Sequence, residues 1–414
     1  MDSVLEGVEM QASPDGDLRQ RLDADVRGLC QFERGSASEG ERQGAEWMAA
    51  RFREIGLEPE MEQFRFYPDY WTAWGAHAAL AALAGAAALA SPRAARGSAL
   101  AGALVAASFW GDLTTGYHWL RGLFPARESY NVLARLPNPR ARRVLIVSAH
   151  LDAAHAGTVF HPAIASWLVQ RFGSFKGPGP ILQLPFAAML AVAGGSLARA
   201  LGLPRWLWRN PLRLGVALNA VTAAFLADIG RSPVVPGAND DATGIAAVLA
   251  LAHELRRKPP ANLEVWFLGL GCEEAIMGGM VAFGRQHFPE LSSRDPFVLN
   301  FEVLGSGKLS VMEGEGFLKF FPYHPEAVGL AAEVAREPAF SDVGSHIIRF
   351  GTDALVPTRH GIPAVTIASV NEDGYVSPYH WPTDEPDGID LRSVERGVAF
   401  ASRMIELLDQ RAGG

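Results

Sequence analysis

The chain has 414 residues, 49% of them hydrophobic and 20% charged, a balance that excludes a disordered polymer. At roughly 150 residues per domain this length gives two or three domains, or one large α/β domain with insertions. With 37 Lys and Arg against 45 Asp and Glu, the net charge of −8 argues against a nucleic-acid binder, and two cysteines, Cys30 and Cys272, exclude a disulfide framework.

Residues 1–16 are acidic and polar, with neither a basic n-region nor an apolar h-region, and read as a flexible amino terminus without a cleavable signal peptide. Residues 17–56 read as helical. In Gly40–Gly56, the residues Ala45, Met48, Ala49, Phe52 and Ile55 recur at helical spacing and the segment stops on a glycine. Residues 60–66 read as a strand.

The composition then changes. Trp74–Ala90 carries no formal charge, SPRAARGS breaks the run, and Ala99–Gly111 is apolar again. A second pair follows, Ile181–Leu197 and Leu214–Leu226, around the link ARALGLPRWLWRNPLR. Both tips carry only positive charge: Arg93 and Arg96 in one, Arg199, Arg205, Arg209 and Arg213 in the other. A spanning helix needs about 20 apolar residues, and these runs reach or fall short of that limit. Tyr70, Trp71, Trp74, Trp110, Tyr117, Trp119, Trp206 and Trp208 flank them as interfacial aromatics do. The expectation is a membrane-associated, multi-pass protein. Its arginine tips would lie in the cytoplasm and its remaining mass outside, with an Ala-rich subdomain packed on the core as the other reading.

Elsewhere the chain alternates strands (130–136, 143–150, 263–270, 297–302, 364–369) with helices (242–255, 275–288, 325–335, 390–408). That alternation predicts an α/β fold with helices on both faces of a sheet. The boundaries are a core domain of 17–70, 126–160 and 232–414, with helical insertions at 71–125 and 161–231.

Five chemistry-bearing segments fall at strand ends or in the loops after them, the edge where open α/β sheets bind ligands. His150 ends a strand and Asp152 lies two residues on, placed to fix an imidazole tautomer. Gly237-Ala-Asn-Asp240-Asp241-Ala-Thr-Gly244 precedes a helix; capping accounts for one acidic residue but not two. Glu273 and Glu274 follow an apolar strand, where two like charges need a proton or a cation. With a divalent metal, one could ligate and the other act as general base. Glu302 ends another apolar strand, and His380 sits in Tyr379-His-Trp-Pro-Thr-Asp384.

In this order the five segments resemble the double-zinc exopeptidases of the bacterial leucyl-aminopeptidase type, relatives of the transferrin-receptor and glutamate-carboxypeptidase ectodomains. GTDALVPTRHGIP at 351–363 is similar to that family's Ser-Asp…Gly-Ile-Pro stretch. The resemblance implies a three-layer sandwich with a mostly parallel or mixed central sheet. It implies two zinc ions per chain, one held by His150 and Glu302 and the other by Glu274 and His380. Asp240 would bridge them, Asp152 would stand under His150, and Glu273 would be the general base. Cys272 is expected to pack rather than ligate. Two departures stand out: Glu302 occupies a position where the family usually has Asp, and the gap between Asp152 and Gly237 contains the second hairpin. The implied activity is zinc-dependent hydrolysis of a peptide or small amide, most simply as an aminopeptidase. N-terminal glutamine cyclisation, carboxypeptidase or amidohydrolase action, and a non-catalytic receptor are the alternatives. The hairpins, inserted beside segments that lead to the site, are expected to restrict it to hydrophobic or membrane-near peptides.

Overall fold

The apolar runs that end in chemistry-bearing motifs pair side by side. The computed structural model describes residues 14–114, 116–172, 182–348, 350–372 and 374–413, so most of the 1–16 segment lies outside it. The strands are β1 (Pro59–Phe66), β2 (Arg127–Leu136), β3 (Arg143–His150), β4 (Leu263–Leu270), β5 (Pro296–Glu302) and β6 (Lys308–Met312), then β7 (Gly314–Glu315), β8 (Phe321–Pro322), β9 (Gly344–His346) and β10 (Ala364–Val370). Eight of them form one sheet in the order β1-β2-β4-β3-β5-β10-β6-β9, while β7 and β8 pair separately. The centre β4-β3-β5-β10 is parallel, and β1, β2 and β6 add antiparallel partners, so the sheet is mixed as expected. Every residue of β3 and of β10 is buried, as parallel strands covered on both faces require.

The core-domain helices are α1 (Pro14–Leu29), α2 (Glu39–Ile55), α8 (Thr243–Arg257), α9 (Gly278–Leu291), α10 (Pro325–Ala335), α11 (Leu355–Arg359) and α12 (Leu391–Gly413). Consecutive residues of a strand face opposite sides. Phe267 of β4 packs on Phe52 of α2, and its neighbour Trp266 packs on Phe283 of α9, so α2 and α9 cover opposite faces. The layers are helix, sheet, helix. The α2 boundaries follow local chemistry: the Ser38 hydroxyl accepts from the Glu41 amide, and Gly56 closes the helix at φ 83°.

Two sequence expectations shift. The helix read from residue 275 begins at Gly278, because Glu273–Met277 fold into a tight turn in which the Ile276 and Met277 amides both donate to the Glu273 carbonyl. The link of the second hairpin is largely helical: α7 (Arg205–Ile229) includes Arg205, Arg209 and Arg213 and carries Pro211 inside it.

The insertions form α3 (Trp71–Ala90), α4 (Ala95–Thr114), α5 (Pro162–Phe172), α6 (Gln183–Ala200) and α7. The two hairpins do not stand apart: α3 packs on α4, α6 and α7, and α6 on α4 and α7, as one four-helix bundle. Its interior is built mostly of small residues, among them Ala78, Ala81, Gly85, Ala106, Ala188 and Gly215. A Cβ on Gly215 would stand 2.8 Å from the Ala188 carbonyl oxygen, so the close approach of α6 and α7 requires glycine there. Most of the bundle's leucines point outward: Leu80, Leu83, Leu100, Leu104, Leu190, Leu197 and Leu214 are all exposed. Two of the helices, α3 and α7, are long and apolar enough to cross a membrane.

At its base the bundle is tied to the core domain. Arg121, fully buried, pairs with Asp112 of α4 at 2.7 Å and donates to the Ala275 carbonyl at 3.1 Å. Trp74 Nε1 donates to the same carboxylate at 2.7 Å.

Candidate metal centre

The parallel strands β3, β4 and β5 all point their carboxyl ends at one edge, which brings distant motifs together. His150 is the last residue of β3, Glu302 the last of β5, and Glu273 and Glu274 lie just beyond β4. Asp240 arrives in the loop before α8, and His380 in the loop after β10. These residues form three overlapping groups whose potential ligand atoms lie within 4.8 Å of one another: His150, Glu273 and Glu274; His150, Asp240 and Glu302; Asp240, Glu274 and His380.

Asp240 stands between the halves. Its Oδ1 is 3.1 Å from His150 Nε2 and its Oδ2 is 3.4 Å from His380 Nε2. Glu302 Oε1 lies 3.5 Å from His150 Nε2, and Glu274 Oε2 lies 3.2 Å from His380 Nε2. The tautomer of His150 follows from geometry. Its Nδ1 is 3.1 Å from the Asp152 backbone carbonyl, which can only accept, so Nδ1 carries the proton and Nε2 faces the cluster. The Asp152 carboxylate accepts from the Glu273 amide at 2.9 Å and the Glu274 amide at 3.1 Å, and so holds the pair in place.

The glycines of the Asp240 loop answer to space. Gly237 adopts φ 64°, and a Cβ there would stand 2.7 Å from both Ala153 Cβ and the Asp240 carbonyl oxygen. At Gly244 a Cβ would meet the Asp241 carboxylate at 2.2 Å. That carboxylate is not a member of the cluster: it accepts from the Gly244 and Val303 amides and so ties the loop to the end of β5. Asp384 likewise accepts from the Asn239 and Asp240 amides, which is why the Tyr-His-Trp-Pro-Thr-Asp segment and the Asp240 loop work as one unit. Backbone in the left-handed region flanks the ligand candidates at Cys272 (φ 56°), Val303 (φ 49°) and His380 itself (φ 48°).

The electrostatics are those of crowded, buried acids. Burial, and then the neighbouring Glu302 carboxylate, push the Glu273 proton affinity far up. Burial also raises Glu274 and Glu302. For Asp240, burial is outweighed by hydrogen bonds to His150 and His380, which hold it below the usual carboxylate range. Burial opposes a charge on His380, but Glu274 and Asp240 overcome it and lift the imidazole to about 10. Glu274 Oε1, Glu302 Oε2 and His380 Nδ1 are buried with no hydrogen-bond partner. Four carboxylates and two imidazoles with orphaned polar atoms are relieved by protons or by a cation, and an all-oxygen-and-nitrogen donor set suits zinc in an open site. Cys272 is not among the groups; it is buried with Ala37, Phe66 and Ala275.

Sequence reasoning missed several supporting residues. Arg34, fully buried, donates to the carbonyls of Leu151 and Gly237 at 2.8 Å each and staples the His150 loop to the Asp240 loop. Glu41 accepts from the Cys272 amide and the Ser129 hydroxyl and braces the approach to Glu273. Ser36 donates to Asp152 at 2.6 Å. Asp353 is buried with neither oxygen partnered, and burial raises its proton affinity strongly. Only Asp353 left a trace, in the 351–363 resemblance; the others stand singly among ordinary surface-like residues.

Fold and site together define an α/β scaffold that gathers His, Asp and Glu side chains at the carboxyl edge of its parallel strands. The profile of peptidase family M28 matches residues 223–404. The match to that family spans the Asp240, Glu273, Glu274, Glu302 and His380 segments, and His150, outside the matched segment, joins the cluster through the sheet. Among solved structures, a zinc aminopeptidase from Bacillus subtilis superposes with a TM-score of 0.55 at 13% identity, over 94% of each chain. An aminopeptidase from Aneurinibacillus sp. strain AM-1 gives 0.53 at 14%, over 94% of this chain and 93% of its own. A glutaminyl cyclase from Fimbriiglobus ruber gives 0.53 at 16%, over 97% of each. At these identities the likeness is one of fold.

Proposed function

We propose that this protein is a zinc-dependent metallopeptidase, acting as an aminopeptidase with two zinc ions. The observation that supports it most is the convergence of His150, Asp240, Glu274, Glu302 and His380, with Asp240 offering one oxygen to each half. His150 and Glu302 would hold one ion, Glu274 and His380 the other, and Asp240 would lie between them. When bound, the ions supply a Lewis acid that polarises a carbonyl and acidifies a water. Glu273 takes the proton of the attacking water and returns it to the departing nitrogen. Asp152 orients that step through the Glu273 amide. Phe160, Ile276 and Phe350 line the space beside the cluster with apolar surface, which strengthens each charge interaction.

The test is an activity profile on aminoacyl and N-blocked peptides, with and without chelator. Release of free amino-terminal residues, lost with chelator and restored by zinc, supports the reading. Cleavage only of N-blocked substrates shifts it to an amidohydrolase or carboxypeptidase, and cyclisation of amino-terminal glutamine to a cyclase.

The bundle supports a second part of the reading, a place in a lipid bilayer. Small residues inside and leucines outside invert the pattern of a water-soluble bundle and match helices packed in lipid. Arg93, Arg96, Arg199, Arg205, Arg209 and Arg213 at the tips support an orientation with those tips on the cytoplasmic side and the catalytic domain on the other. Protease treatment of intact cells tests this: a digested catalytic domain fits, and a fully shielded one reverses the orientation.

A further inference from the structure

Between the carboxylates and the helical bundle lies a cavity of about 210 Å³. Its polar end is Glu273, Glu274 and His380. The opposite walls come from the bundle: Trp74 of α3, Phe109 of α4, and Thr222, Phe225, Leu226 and Ile229 of α7. Phe317 and Phe350 of the core domain close the side. Thr222 and Ile229 are two helical turns apart, so the cavity runs about 10 Å along α7, away from the reacting groups. Among the described residues, no charged side chain lines it apart from the three at its polar end. Phe225 lines the cavity and is also 37% exposed on the outer surface of the bundle, so the wall there is one side chain thick.

A slot with acids at one end and aromatic and aliphatic carbon over the rest of its length discriminates by chemistry. A large apolar group gains the burial of its whole surface, a small one leaves the slot partly unfilled, and a charged one meets no partner beyond the metal-site acids. We propose that the bundle is a substrate-binding element as well as an anchor. The cavity takes a bulky apolar group, an aromatic or branched aliphatic side chain, attached beside the scissile amide, and selects such substrates over small or charged ones. This rests on the hydrolase reading and adds to it the class of substrate and the part of the chain that chooses it.

The test separates binding from turnover. Zinc-loaded Glu273→Gln protein is titrated calorimetrically with phenylalaninamide and with glycinamide. The expected result is about tenfold or more tighter binding of phenylalaninamide. Thr222→Trp fills the cavity at the end two turns along α7 from Ile229, and should bring the two affinities within about twofold while metal content stays unchanged. Thr222→Phe is the milder variant should the indole disturb folding. Equal affinities for the two amides in the Glu273→Gln protein, or a preference that survives filling of the cavity, overturns the proposal. Turnover by the wild-type enzyme without any size preference leaves the hydrolase standing and the bundle a mere anchor. A binding preference in a protein that hydrolyses nothing keeps the cavity and sinks the hydrolase.

Discussion

Glu273 and Glu274 are adjacent in sequence, yet the fold gives them different surroundings. Glu274 faces His380 at 3.2 Å, while Glu273 is crowded by Glu302 and has its proton affinity raised by burial. This division leads to the first expectation: Glu273→Gln should lower kcat about 10²- to 10⁴-fold with bound zinc unchanged, read by kinetics and metal analysis side by side. Near-wild-type turnover would remove Glu273 from the reaction. Glu302 reaches His150 despite being one methylene longer than an aspartate, and the left-handed turn at Val303 marks where the backbone leaves the sheet to allow it. Glu302→Ala should therefore remove about one zinc per chain and leave the other. Glu315 provides a test away from the ligands. It is fully buried, accepts from the Thr352 amide and the Tyr323 hydroxyl, and burial lifts its pKa from 4.5 to about 8. A raised carboxylate favours the folded state fully below pH 4.5 and loses that contribution as pH climbs to about 8. Glu315→Gln, which cannot ionise, should gain melting temperature over wild type progressively between those limits. A difference independent of pH would mean that Glu315 is not neutral in the fold.

At the scale of elements, the sequence was most legible where chemistry and periodicity agreed. Strands 143–150, 263–270 and 297–302 were read to within a residue because β-branched and aromatic runs stop at polar motifs, and those same ends are where His150, Glu273 and Glu302 sit. The short strand β6 and the edge strand β9 were not read, since five and three residues are too few for a period to declare itself. The union of two hairpins into one bundle was also hidden. Hydropathy gives the length of an apolar run, whereas the partner of α7 is decided by small residues such as Gly215 and Ala188 that look neutral in sequence. Arg121 joins that bundle to the turn Glu273–Met277 through Asp112 and the Ala275 carbonyl. Replacing Arg121 by Met removes the guanidinium from a buried carboxylate that keeps only Trp74 and His118, which should cost about 3 kcal/mol of stability in chemical or thermal unfolding. The displaced turn should lower activity at saturating substrate as well. A variant as stable and active as wild type would show that the bundle docks without this pair.

For the whole molecule, the sheet gathers residues separated by more than two hundred positions, and the candidate ligands were legible only as an ordered set. Each of His150, Asp240, Glu274, Glu302 and His380 has an ordinary explanation when taken alone, as a strand end, cap or loop residue. The supporting contacts of Arg34, Glu41 and Ser36 were illegible because they are made by single residues whose partners are set by tertiary contact. The outward leucines of α3, α4, α6 and α7 predict that the protein floats with liposomes and resists extraction by high salt; recovery in the soluble fraction would make the bundle a water-exposed subdomain. The most direct measurement of the central claim is the metal content of the purified protein, taken together with peptidase activity before and after chelation. About two zinc ions per chain, with activity lost on chelation and regained on adding zinc, is the predicted result. Well under one zinc per chain, or hydrolysis indifferent to chelator, would contradict it.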